Sequence, residues 1–320
     1  MEQPTVVLSD EYTRPVSIVD VFVANITNKK LTSAIVKTLA EIAPLENLQH
    51  LKRVKGSKDG PLQIVLCQPE TDLSGGDKCK MHLDINKIEG LGKEYLVKVP
   101  AKPPVTRKQF EESLKYWPVN FHEDKEVAAL MSGKYFKDAE LEKIKLYMEM
   151  AVRLAEHGRV KNQLSIGAVI VDPSKDSVVA KAYDLRQSGY PLQHAVMVAI
   201  DLVAYSQGGG MWKLPEERVV QSCDAGLWYA KGFPSEECSK DRTEPYLCTG
   251  YDLYVTQEPC VMCSMALVHS RIGRVFYGSA QPAGALGSRY AIHYQPGLNH
   301  HFSVFKDCLS KVTDRLYTGS

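Results

Sequence analysis

The sequence predicts an α/β protein in two parts: a larger C-terminal domain on a mixed sheet with helices on both faces, and a smaller N-terminal α/β domain. Strand-like and helix-like stretches alternate along the chain, and the C-terminal series opens on a hairpin pattern. A length of 320 residues suits two domains, each with its own core. Between the two series lie Pro100, Pro103, Pro104 and Pro118, which favour an extended, stiff chain. The expected limits are an N-terminal domain over 1–100, a Pro-rich linker over 101–136, and a C-terminal domain over 137–320 with an insertion at about 206–245.

In the N-terminal part, Val16 to Val23 reads as a strand because β-branched residues dominate it. Asn28 is a cap for a helix to about Ile42, with Leu31, Ile35, Val36 and Leu39 on one face. Leu62–Cys67 and Tyr95–Val99 read as further strands. Strand, helix, strand and a later strand suggest a ferredoxin-like arrangement.

The C-terminal part begins with a helix over Asp138–His157, spaced by Leu141, Ile144, Met148, Val152 and Ala155, with Gly158 as its stop. Ile166–Pro173 and Val178–Ala182 form the hairpin. A helix follows from His194, carried by Val198, Ile200, Leu202 and Val203. After the insertion come a strand at Tyr251–Thr256, a helix opening at Pro259, a strand at Arg274–Gly278, and a last strand and helix around Phe302–Phe305.

Cys260 and Cys263 follow Pro259 with i, i+3 spacing, so both sulfurs lie on one helical face. They also sit at a helix N-terminus, whose partial positive charge favours thiolate, the form that binds metal. A C-x-x-C pair alone is often an accident or a redox pair, and a lone histidine is usually structural. Here the strand–Pro–helix order, together with His194 at a second helix start, makes a three-ligand zinc site with an open fourth position. Zinc deaminases carry H-x-E and then P-C-x-x-C, the Glu shuttling protons without binding the metal. In this chain the shuttle position is Val196, a hydrocarbon. General acid–base help is worth ~10²–10⁴-fold, so the metal site looks kept and the chemistry removed. The zinc then serves chiefly to hold the domain together.

The chain resembles the non-catalytic subunit of the eukaryotic heterodimeric tRNA adenosine deaminases, within the cytidine deaminase-like superfamily. The resemblance rests on His194-Ala195-Val196, on Glu258-Pro259-Cys260-Val261-Met262-Cys263, and on Gly284-Ala285-Leu286-Gly287-Ser288. Pro296-Gly297-Leu298-Asn299-His300 is similar to a segment of bacterial tRNA adenosine deaminases, and Tyr116-Trp117-Pro118-Val119-Asn120-Phe121-His122 to a signature of the subunit itself. What it implies is a three-layer α/β/α domain, a bound Zn2+, a catalytic deaminase subunit as partner, and the tRNA anticodon arm as ligand. The reaction implied for the complex is adenosine to inosine at the anticodon wobble position. Active members place an Asn upstream of the zinc histidine to hold the base; this chain has Tyr183-Asp184-Leu185-Arg186 there.

Hydrophobic content of 44% and charged content of 24% are those of a soluble globular protein, and no apolar run nears the ~20 residues of a membrane helix. The N-terminal residues lack the build of a signal peptide, so nucleus and cytoplasm are the expected locations. The cysteines are then expected as thiols or metal ligands. Net charge of +1 neither supports nor excludes RNA, since a nucleic-acid binder of that balance must localise its basic groups. Two clusters do so: Lys52, Arg53, Lys55 and Lys58, and then Lys98, Lys102, Arg107 and Lys108. A solvated surface and a linker explain them as well as a phosphate-tracking surface does, and the resemblance favours the second. Trp117 is expected to pack the linker onto a domain rather than to stack on RNA. Two other functions compete with that of an inactive scaffold subunit. One is a divergent active deaminase with another shuttle; the other is a zinc-stabilised interaction module unrelated to RNA.

Overall fold

A computed structural model of the chain describes residues 3–56, 60–71, 77–79, 88–212 and 247–317. Chain order begins β1 (Thr5–Val6), α1 (Asp10–Thr13), β2 (Ile18–Ile26), α2 (Thr32–Ile42), β3 (Val54–Lys55), β4 (Leu62–Cys67), β5 (Pro69–Thr71), β6 (Asp77–Cys79), β7 (Leu91–Pro100), α3 (Arg107–Ser113) and α4 (Lys125–Met131). It continues with α5 (Asp138–Val160), β8 (Gly167–Asp172), β9 (Ser177–Tyr183), α6 (Ala195–Ser206), β10 (Asp252–Gln257), α7 (Val261–His269), β11 (Arg274–Ser279), β12 (Ser303–Lys306) and α8 (Ser310–Thr313). The chain divides into one unit of residues 10–128 and another of residues 1–9 with 129–320.

The smaller unit is an antiparallel sheet in the order β3-β4-β2-β7. The first long strand, β2, is central and α2 crosses from it to the edge strand β3, as in a ferredoxin-like sheet. Between β4 and β7 the described residues carry the hairpin of β5 and β6. Asn28 accepts from the Lys30 N–H at 3.1 Å and caps a short 3-10 turn that leads into α2. Ile35 and Leu39 of α2 pack with Ala24, Ile26, Ile64 and Leu66 on one sheet face. The other face holds Val21, Val23, Val65 and Trp117. Trp117 is fully buried, and its indole N–H donates to the Lys52 carbonyl at 2.7 Å, so it is a packing residue as expected. The stretch 101–136, expected as a linker, runs through α3 and α4, and its residues up to 128 belong to this unit. A Thr106–Gln109 capping box starts α3. Cys67 is disulfide-bonded, which corrects the expectation of thiols; Cys248, Cys260, Cys263 and Cys308 are free.

The larger unit is a six-stranded mixed sheet in the order β1-β12-β11-β10-β8-β9. β10, β11 and β12 run parallel, and the β8–β9 hairpin joins antiparallel to β10. All six residues of β8 are buried, so both faces of that strand are covered, as a three-layer fold requires. Gly167 lets α5 approach, because a Cβ there would collide with the Ala151 carbonyl. Register aligns Tyr254, Phe276 and Phe305 across three strands, and their rings stack at 4.8 and 4.9 Å. Arg274 ties β10 and β11 to α5, bonding Asp252 at 2.6 and 2.9 Å and Glu140 at 2.7 Å. The helix α5 runs past Gly158, which is no stop: it is buried where Tyr183 and the Leu164 carbonyl leave little room for a side chain.

The edge strand β1 comes from residues expected in the N-terminal domain. The Val7 carbonyl faces His293 Nε2 at 3.3 Å. His293 is fully buried, and its Nδ1 has no partner among the described residues. Burial, aided by the charge of His301, lowers its pKa to about 4 despite the Val7 bond. An unfolded histidine takes up its proton near pH 6.5, whereas the native one stays neutral to about pH 4. The stability due to neutral His293 is therefore whole above pH 6.5 and lost as pH falls to 4, by about 3 kcal/mol. Urea unfolding midpoints should drop over that window, and less steeply in His293→Gln.

Candidate metal centre

β10 delivers Gln257 and Glu258 to Pro259, and Cys260 caps α7 with extended backbone before Val261 begins the helix. Proline at this break forces the turn from strand to helix. His194 takes the same place on α6, with φ −64° and ψ 150°. The two helix starts bring three donors together: His194 Nδ1 lies 3.7 Å from Cys260 Sγ and 3.6 Å from Cys263 Sγ. All three ligand atoms lie within 4.8 Å of one another. Tetrahedral zinc with ordinary Zn–S and Zn–N bonds separates S from N by about 3.5 Å, so the set fits that ion. This convergence is the one expected from the sequence.

Electrostatics agree with the fit. The Cys263 thiol beside it lowers the Cys260 pKa to about 3, against burial and with help from His194. The Cys260 thiolate and burial in turn push the Cys263 thiol well up. Two adjacent thiolates repel each other, and a dication between them removes that penalty.

A cavity of about 590 Å³ opens over these residues and is lined by Arg159, Asp184, Arg186, Val196, Glu258 and Tyr317, among others. Val196, two residues after His194, is 3% exposed and lines this cavity with a hydrocarbon side chain. Among the described residues, Asp184 and Glu258 are the carboxylates in the lining, and both are committed. Asp184 is fully buried; its two oxygens share the Arg186 Nε–H at 2.9 and 3.0 Å, and it accepts from the Arg186 backbone N–H at 3.1 Å. Glu258, 1% exposed, accepts from the backbone N–H groups of Leu286 at 2.9 Å, Ser288 at 3.0 Å and Gln281 at 3.2 Å, and from the Ser288 hydroxyl.

Glu258 is therefore a clamp on the loop of residues 281–288, a role that sequence reasoning misses. Gly284 and Ser288 are its only signal in the chain. A side chain at Gly284 would overlap the Glu258 carboxylate, so only glycine fits. An isolated bridge between Cys260 and Gly284 ties the same loop to the metal residues. The carboxylate of Ser320, which the sequence offers as an occupant of the open fourth position, lies outside the described residues. So do Cys223, Cys238 and most of the expected insertion.

The basic clusters fare differently. Arg53 is committed inside its unit, donating to the carbonyls of Ala43 at 2.7 Å and of Val65 and Leu66 at 3.3 Å. Lys55 donates to the Tyr116 carbonyl at 3.2 Å and lies 5.2 Å over the Trp117 ring. Lys98 pairs with Asp20 at 3.2 Å and Arg107 with Glu111 at 3.6 Å, all on the surface. Lys52, Lys102 and Lys108 are exposed, and Lys58 lies outside the described residues.

Residues 141–279 match the family described as the cytidine and deoxycytidylate deaminase zinc-binding region. Residues 19–117 match the tRNA-specific adenosine deaminase TAD3 N-terminal domain. A Danio rerio protein described as a probable inactive tRNA-specific adenosine deaminase-like protein 3 is 44% identical, covering 97% of this chain and 93% of its own. The Homo sapiens protein of the same description is 41% identical, over 95% and 89%. The tRNA-specific adenosine deaminase subunit tad3 of Schizosaccharomyces pombe is 32% identical, over 81% and 74%.

Proposed function

This chain belongs to the family of TAD3 subunits, the tRNA-specific adenosine deaminase-like protein 3 family, and we propose from that membership that it is the non-catalytic, zinc-holding subunit of a tRNA adenosine-to-inosine deaminase. It pairs with a catalytic deaminase-fold subunit and presents the anticodon arm to it, in nucleus and cytoplasm. The observation that carries the reading is Val196 beside His194, Cys260 and Cys263, in a cavity where the two carboxylates among the described residues are both bound elsewhere.

His194 Nδ1, Cys260 Sγ and Cys263 Sγ would hold the zinc, which in an active deaminase activates water for attack on C6 of adenine. Val196 can neither take a proton from that water nor return one to a ring nitrogen. What the three ligands do here is fasten the starts of α6 and α7 to each other. For RNA, the exposed Lys52, Lys102 and Lys108, with Lys55 and the loosely paired Lys98 and Arg107, offer cations along the N-terminal unit. Surface pairs of that kind are worth ~0–1 kcal/mol and open readily to a phosphate. No described helix is long and apolar enough to cross a membrane.

The test is deamination of tRNA by the purified chain, by a catalytic partner, and by the two co-expressed. Inosine is expected from the pair and none from the zinc-loaded chain alone; robust turnover by the isolated chain would replace this reading with that of a divergent deaminase. Charge reversal at Lys52, Lys55, Lys102 and Lys108 should weaken tRNA binding and flatten its salt dependence, since each phosphate contact adds about 0.7–0.9 to the log–log slope.

A further inference from the structure

We propose that the open end of the N-terminal sheet seats one unpaired RNA base, held by Tyr95, Asn25 and Gln63; this deepens the tRNA reading above and rests on it.

Pairing puts Lys55 opposite Gln63 and Gln63 opposite Asn25, so these three side chains share a face. Tyr95 pairs with Val23, two residues from Asn25, and so lies on that face too. Farther along, the same face is filled by Val21, Val23, Val65 and Trp117. The polar row begins where that covering ends, and Tyr95 is 36% exposed there.

The row is fixed in advance. The Tyr95 hydroxyl accepts from Gln63 Nε2 at 2.6 Å and donates to Asn25 Oδ1 at 3.0 Å. Surface side chains gain little from such bonds, since water satisfies them almost as well. Their consequence is orientation: a phenol ring held in place between two amides. Gln63 Oε1 and Asn25 Nδ2 are left without a partner among the described residues, an acceptor and a donor beside an aromatic plane. A flat heterocycle with its own donors and acceptors matches this set, by stacking on the ring and bonding at its edge. Lys55, in the same row, and exposed Lys52 supply cations for the phosphate of the same nucleotide.

The experiment measures tRNA affinity across a salt series, with the full chain in complex with its catalytic partner. Tyr95→Ala is expected to weaken binding about tenfold without changing the salt slope, because stacking releases no counterions. Tyr95→Phe keeps the ring and should retain most of the affinity, and thermal unfolding of each variant should match the parent. An RNA oligomer with abasic sites should bind the parent and Tyr95→Ala equally. Unchanged affinity in Tyr95→Ala while the parent binds tRNA would overturn this proposal alone. Release of the catalytic subunit by Tyr95→Ala would also overturn it, making the row a protein-docking surface. A parent complex that does not retain tRNA would overturn both this proposal and the functional reading beneath it.

Discussion

Cys263→Ala is expected to strip the chain of zinc and to leave its larger unit unfolded or insoluble. Cys263 is 2% exposed and stands with Cys260 and His194 at the junction of two helix starts. Structural zinc contributes an apparent ~10–16 kcal/mol, as much as the whole stability of a typical domain at ~5–15 kcal/mol. Trimming one buried sulfur without a metal would cost only ~1–3 kcal/mol. The two magnitudes separate the explanations cleanly. Metal content by mass spectrometry should be near one zinc per parent chain and near none in the variant, and a strong chelator should lower the parent's melting temperature to match. A pure parent without zinc, or a variant that melts within a few degrees of it, would show that ordinary packing holds the site.

Gly284→Ala is expected to cost about 3–5 kcal/mol although it adds a single methyl. The methyl would fall within the Glu258 carboxylate, whose departure leaves the N–H groups of Gln281, Leu286 and Ser288 without their acceptor. Hydrogen bonds to a buried charge contribute about 1.5–3 kcal/mol each and do not add fully. Glu258→Ala should cost a similar amount by the opposite route, removing the acceptor instead of displacing it. Amide hydrogen exchange should show residues 281–288 losing protection first in both variants. If either is within about 1 kcal/mol of the parent, Glu258 does not clamp this loop, and its bearing on the deaminase question reopens.

The metal triad is legible in the sequence because each of its parts is local. A strand, a proline and two cysteines at i, i+3 specify a helix start with two sulfurs on one face, whatever surrounds them. The Val196 position follows from His194 in the same way. Helix and strand positions are legible for the same reason: periodicity of 3.6 or 2 reports which side of an element is buried.

Periodicity does not report which elements become neighbours. The clamp role of Glu258 leaves no mark in the sequence because its donors lie 23 to 30 residues downstream, in a loop with no pattern of its own. Arg53 reads as an RNA contact because three carbonyls from two other segments, its actual partners, leave no mark on the chain around it. Residues 5 and 6 read as the start of the N-terminal domain, yet they pair with Phe305 and Lys306. The sequence by itself determined the element types, the zinc-type donors and the missing proton carrier, all of which depend on residues a few positions apart. Tertiary structure alone decided which charges are free, which carboxylates are bound and which polar side chains stand side by side across strands. Those outcomes depend on hydrogen bonds and sterics between segments far apart in the chain, which no local spacing records.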